Sequence, residues 1–190
     1  MVKFTKRKVG NLEMEKENFN IKKTCSFYVS EYHLVTMLLP YIKEKIDNNG
    51  AISTFLENNL SEKMEKLVNG TNLNKKDKEE IITLNWKNIN PYKYKNVEKE
   101  LETINKEKNI NIIVSGSMQY IDAVNANVER WAKKNNINIV INNCYEVSNF
   151  NKNIKEILDK HDKILNTSGE QEIENIFEGY KRPLKDIINK

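Results

Sequence analysis

The chain has 190 residues, 38% hydrophobic and 31% charged, which suits one ordinary domain with a full apolar core and argues against wholesale disorder. No apolar run approaches the ~20 residues that a membrane span needs, and the basic N-terminus has no apolar stretch behind its charges, so it does not read as a secretory signal. The net charge is +4, and residues 1–23, with seven Lys/Arg against three Glu, carry all of it.

Residues 1–23 therefore read as a basic arm ahead of a neutral body. "KFTKRK" could meet phosphates or an acidic partner, but the body has no electrostatic reason to seek nucleic acid. "TCSFYVS" (24–30) is rich in β-formers and alternates, as a strand does. Ser30 caps the following helix, in which Leu34, Val35, Leu38, Tyr41, Ile42 and Ile46 recur at helical spacing. Pro40 falls inside that helix, and Asn48–Gly50 end it. "AISTFLEN" (51–58) reads as a second strand, and Ser61 as the cap of a helix that ends at Gly70. "EEIITLNW" (79–86) reads as a third strand, followed by an aromatic loop with Trp86, Pro91, Tyr92 and Tyr94. A charged helix with Val97, Leu101 and Ile104 comes next. "INIIVSGS" (110–117) is the clearest buried strand, and Ser117 opens a helix with Ile121, Val124, Val128 and Trp131. "INIVINNCYEV" (137–147) is another strand. Phe150, Ile154, Ile157 and Leu158 mark a helix, and "KILNTSGE" a short strand and turn. Residues 169–190 read as a helical tail broken near Pro183.

This alternation predicts an α/β three-layer sandwich over 24–168, with a mainly parallel central sheet and helices on both faces. Ligands of such sheets bind outside the carboxyl ends of the strands. The expected rim is built from Ser30–His33, Asn85–Asn88, Ser115–Met118, Cys144–Val147 and Asn166–Gly169. "VSGSM" could offer backbone amides to an anion. It has one glycine and no following Lys, so it is neither a Walker loop nor a dinucleotide fingerprint. A tight turn with a Ser cap is the plainer reading. Ser30 and His33 form a catalytic pair only on paper, and His161–Asp162 lacks the further ligands of a metal phosphohydrolase. Cys25 and Cys144, far apart in the chain, read as reduced, buried thiols of a cytoplasmic protein.

Four blocks in order carry a family likeness: "CSFYVSEYHLVTMLLPYIKEKIDNNGAISTFLE", "NINPYKYKNVEKELETI", "IIVSGSMQYIDAVNANVERW" and "INNCYEVSNFNKNIKEILDKHDKIL". Together they resemble the MEDS domain, the methanogen/methylotroph sensory domain of a dichloromethane-responsive regulator, itself similar to a degenerate RecA/KaiC-like core. The likeness spans about residues 23–166. It implies a RecA-like fold that has lost nucleotide hydrolysis and a role in sensing. In that family the domain works with a kinase or a DNA-binding helix-turn-helix.

The expected function is a non-catalytic sensory or regulatory module. It would bind a small molecule or a signalling protein, such as a sensor kinase or transcription regulator, at the strand-end rim. Rim candidates are Tyr28, Ser30, His33, Trp86, Ser115, Ser117, Cys144, Tyr145 and Glu146. No cofactor, metal or membrane is called for, nucleic acid is disfavoured, and a homodimer is left open. The alternatives are a small-molecule hydrolase or transferase on the same rim, and a nucleic-acid-binding regulator that uses the arm.

Overall fold

In a computed structural model that describes residues 20–149 and 154–183, the β-branched runs form strands and the apolar runs spaced three or four apart form helices. β1 (Ile21–Tyr28) leads through α1 (Glu31–Asp47) to β2 (Ala51–Leu56). Three short helices follow: α2 (Ser61–Asn69), α3 (Lys75–Thr83) and α4 (Tyr94–Leu101). β3 (Ile110–Ser115), α5 (Met118–Asn135) and β4 (Ile139–Glu146) come next, then a 3-10 turn over Val147–Asn149. The described chain closes with α6 (Ile154–Leu158), β5 (Lys163–Asn166), β6 (Gly169–Gln171) and α7 (Ile173–Ile176).

The sheet order is β2-β3-β4-β1-β5-β6, parallel except for the β5–β6 hairpin. Ile21 lies opposite Ile139 and Tyr28 opposite Glu146, while Leu56 and Cys144 flank Ser115 on its two sides. That register brings the carboxyl ends of β1, β2, β3 and β4 to one edge. Alternation along the strands divides the core in two. Ile112, Val114, Ile139, Ile141 and Tyr145 pack with α4, α5, α6 and α7 on one face. Ile113, Cys144 and Tyr28 pack with α1, α2, α3 and Trp86 on the other. Every residue of β3 is buried, as a strand covered on both faces requires. The fold is the expected α/β sandwich with a mostly parallel sheet.

Four local expectations are corrected. Residues 79–86 are not a strand: 79–83 are the end of α3, and 84–86 turn away from it. The controlling signal is upstream, where Asn74 Oδ1 accepts the Asp77 N–H at 2.9 Å and starts a helix that overrides the β preference of Ile81, Ile82 and Thr83. Asn85–Asn88 therefore follows a helix, though it still reaches the rim side: Asn88 bridges Leu56, and the Ile89 N–H donates to the Leu56 carbonyl at 3.0 Å. β1 begins at Ile21 rather than Thr24, because Lys22 and Lys23 stay in register with Val140 and Ile141. The tail opens as strand β6, reached through a turn in which Asn166 Oδ1 accepts the Ser168 N–H at 2.8 Å and Gly169 takes φ +99°; of its helix only α7 is present among the described residues. Ser61 is the first residue of α2 rather than its cap. The basic arm before Asn20, Phe150 and the tail beyond Pro183 lie outside the described residues.

α5 ends on Asn136 in the left-handed region, φ 53° and ψ 49°. Asn136→Ala should therefore lower stability by about 1 kcal/mol, while Asn136→Gly should not. Urea unfolding midpoints of the two variants check this.

Candidate functional site

Two of the helices that start at the carboxyl edge, α1 and α5, are each capped from within. At α1 the Ser30 hydroxyl accepts the His33 N–H at 3.2 Å, and His33 Nδ1 accepts the Val29 N–H at 3.2 Å. The arrangement resembles a capping box shifted by one residue, since the histidine reaches back to the N–H of the residue before the cap. It ties down His33 Nδ1 and turns the Ser30 hydroxyl toward the backbone of its own helix, and no side-chain hydrogen bond joins Ser30 to His33. Glu31, in the first turn, pairs with Lys63 at 2.6 Å.

At α5 the Ser117 hydroxyl accepts the Tyr120 N–H at 3.3 Å and donates to Glu57 Oε1 at 3.0 Å, while Glu57 Oε2 accepts the Ser117 N–H. A carboxylate from the end of β2 thus sits where an anion would meet the positive end of α5. Gly116 permits this: a Cβ there would lie 2.7 Å from both Glu57 Cβ and Oε2. Beside it, the Tyr28 hydroxyl meets Ser115 Oγ at 3.1 Å, and burial pushes the Tyr28 phenol up to about 12. The crevice lined by Tyr28, Glu31, Leu34, Leu56, Asn58, Leu60 and Ser115 holds only about 10 Å³, room for a single water at most.

The sequence candidates divide accordingly. Tyr28, Ser30, His33, Ser115, Ser117 and Glu146 come to the strand-end edge. Trp86 is buried, with its indole N–H donating to the Ile81 carbonyl at 2.7 Å. Cys144 is buried on the α1 side, where burial pushes its thiol up to about 12 and keeps it protonated at neutral pH. Tyr145 faces the opposite side, with its ring edge-on to His161 at 5.8 Å between centroids. Both nitrogens of His161 are engaged, and Asp162 Oδ2 accepts the Lys23 N–H at 2.9 Å. Among the described residues no three His, Cys, Asp or Glu side chains come together as a metal-binding group. Glu57 was missed by sequence reasoning; the available signal was an acidic residue directly after the buried strand "AISTFL".

Several large apolar side chains are exposed along this edge, among polar ones such as Ser30, Glu57 and Asn58. Of the seven large hydrophobic residues exposed among those described, Val29 and Tyr32 lie at the β1–α1 junction, Met118 opens α5, Val147 follows β4 and Ile154 opens α6. Tyr92 belongs to the loop that runs past the end of β2, a loop tied to α5 by the Tyr120 hydroxyl, which donates to the Ile89 carbonyl at 2.9 Å. Only Ile176, on α7, lies elsewhere. Val29 is 67% and Tyr92 69% exposed. Single exposed apolar residues are ordinary, but here six of the seven are distributed along one edge.

No family model, curated protein or solved structure matches this chain. The MEDS likeness thus stands on its four sequence blocks. Among the described residues no helix is long and apolar enough to cross a membrane.

Proposed function

We propose that this chain is a non-catalytic regulatory module of the MEDS type, on a RecA-like core, that docks a partner protein over the carboxyl edge of its sheet. The observation that carries this reading is the combination found at that edge: the crevice beneath it is closed to about 10 Å³, while six exposed apolar side chains gather on its outside. A closed surface that carries exposed apolar side chains among polar ones suits a protein partner better than a small molecule. Glu57 supports the loss of a triphosphate grip, since it already fills the α5 N-terminus. No nucleophile–base contact is formed by Ser30 and His33, which favours docking over the hydrolase or transferase reading. The partner class is a sensor kinase or transcription regulator, and the setting is the cytoplasm, where the two buried thiols stay reduced.

A photo-activatable residue at position 29 or 147 tests the proposal, with position 176 as the distant control. Positions 29 and 147 should give one discrete adduct in cells, and position 176 none. The purified partner should then bind the wild type and lose at least about tenfold in affinity with Val29→Asp plus Val147→Asp, but not with Ile176→Asp. Equal labelling from all three positions, unchanged affinity of the double variant, or ATP turnover by the chain would refute it.

A further inference from the structure

Asparagine followed by glycine occurs twice in the chain, at Asn49–Gly50 and at Asn69–Gly70. In such a pair the backbone nitrogen after the asparagine has no Cβ beside it, so little hinders its approach to the asparagine's own side-chain carbonyl carbon. Both asparagines are exposed to water. Sequence therefore treats the two pairs alike, and what separates them is the backbone around each.

Asn49 closes α1 in a Schellman arrangement. It lies in the left-handed region, φ 55°. Its N–H donates to the Ile46 carbonyl at 2.9 Å, and the Gly50 N–H donates to the Lys45 carbonyl at 2.7 Å. Ala51 already belongs to β2, and its N–H donates to the Asn109 carbonyl at 2.9 Å. A Cβ on Gly50 would lie 2.8 Å from the Lys45 oxygen and 3.0 Å from Asn111 Nδ2, so this stretch has no room to swing. Asn69, by contrast, is the last residue of the nine-residue helix α2. The Gly70 N–H is divided between the Leu67 carbonyl at 3.1 Å and the Lys66 carbonyl at 3.3 Å. A Cβ on Gly70 would meet nothing nearer than 3.4 Å, and Gly70 is exposed as Asn69 is. Helical backbone turns the following nitrogen toward the preceding turn, away from the side chain. Attack at either pair thus requires a local opening. At Asn69 the opening releases one helix end, the part of a helix that frays most readily. At Asn49 it breaks two cap bonds and the first bond of a strand.

We propose that Asn69–Gly70 is a site of spontaneous deamidation in the folded protein and that Asn49–Gly50 is protected from it. The Gly70 nitrogen gives up its proton to water and attacks Asn69 Cγ. The new N–Cγ bond closes a five-membered succinimide, and the side-chain nitrogen leaves as ammonia. Water then opens the ring at one of its two carbonyls, giving aspartate or isoaspartate. In sum one water enters and one ammonia departs, with no oxidant or cofactor. The product places a carboxylate at the C-terminal end of α2, where the helix dipole disfavours negative charge. Isoaspartate also lengthens the backbone directly after Val68, which is buried in the core with Met64. The modification therefore loosens the end of α2 as the chain ages.

Incubation of the purified chain at mildly alkaline pH, followed by peptide mass spectrometry over time, tests this. In the native protein the peptide with Asn69 should convert to the acid at least about tenfold faster than the peptide with Asn49. In guanidinium chloride, which removes the structure, the two rates should converge. Gly70→Ala should slow the reaction at Asn69 at least about tenfold and leave the melting temperature unchanged or raised, since φ −77° and ψ −5° suit alanine and its Cβ has space. The proposal is overturned if Asn49 reacts as fast as Asn69 in the native chain, if neither reacts there while both react in denaturant, if the native difference persists in denaturant, or if Gly70→Ala reacts as the wild type does. No partner protein enters this experiment, so its outcome is separate from that of the docking test.

Discussion

Acidification from pH 6.5 to about pH 4 should remove up to about 3 kcal/mol of stability through one side chain, His161. Burial pushes its pKa down from 6.5 to about 4. Lys23 and Lys160 act in the same direction, while the Ile157 hydrogen bond and Asp162 oppose it. Above pH 6.5 the ring is neutral in both folded and unfolded chain, and the full stability is present. Between the two values the unfolded chain takes up a proton that the folded chain refuses, so stability falls as pH falls. Below about pH 4 both states are protonated and this residue contributes no further loss. Each unit of separation is worth about 1.4 kcal/mol, which sets the order of magnitude. A proton on Nε2 would also face the Asn143 amide donor it now accepts from. Urea unfolding at about pH 7 and about pH 4.5, for wild type and His161→Gln, measures the effect. The wild type should lose about 2 kcal/mol more than the variant between the two conditions; equal losses would place the acid sensitivity elsewhere.

What could be read from the residues was local, and what escaped was set by partners distant in sequence. Ser30 and Ser117 were legible as caps because a cap involves only the next three residues, and both perform that role here. β3 was legible because a strand buried on both faces needs an unbroken apolar run. The stretch at 79–86 misled because Ile81, Ile82 and Thr83 favour strands, whereas the helix that holds them is initiated at Asn74. The seat of Glu57 depends on β2 lying beside β3 with Leu56 opposite Ser115, a neighbour relation that no spacing in the chain encodes. The same limit applies to Cys144 and Tyr145. Both were placed at the end of a strand, but their facing directions follow from which helices cover each side. The Asn143–His161 contact likewise needs the strand and the residues after α6 to be packed together.

The closed edge can itself be put to a quantitative test at Gly116. Gly116→Ala should destabilise the chain by about 1–3 kcal/mol, the usual cost of forcing an atom into filled space. The new Cβ would meet Glu57 Cβ and Oε2 at 2.7 Å and Tyr120 Cδ1 at 2.8 Å, all inside van der Waals contact. Glu57→Gly alone should cost about 1 kcal/mol or more, through the lost carboxylate at the α5 N-terminus and the added backbone freedom. In the Glu57→Gly background, however, two of the three encroached atoms are gone and only Tyr120 has to yield. The alanine should then cost at least about 1 kcal/mol less than it does in the wild type, a coupling of the size expected for residues in direct contact. The backbone effect of the Glu57→Gly change cancels in such a cycle, because it appears on both sides. Additive costs would mean that the carboxylate is not seated against Gly116 in solution. The α5 N-terminus would then be open to an outside anion, and the argument for a partner protein over a small ligand at this edge would lose its main physical support.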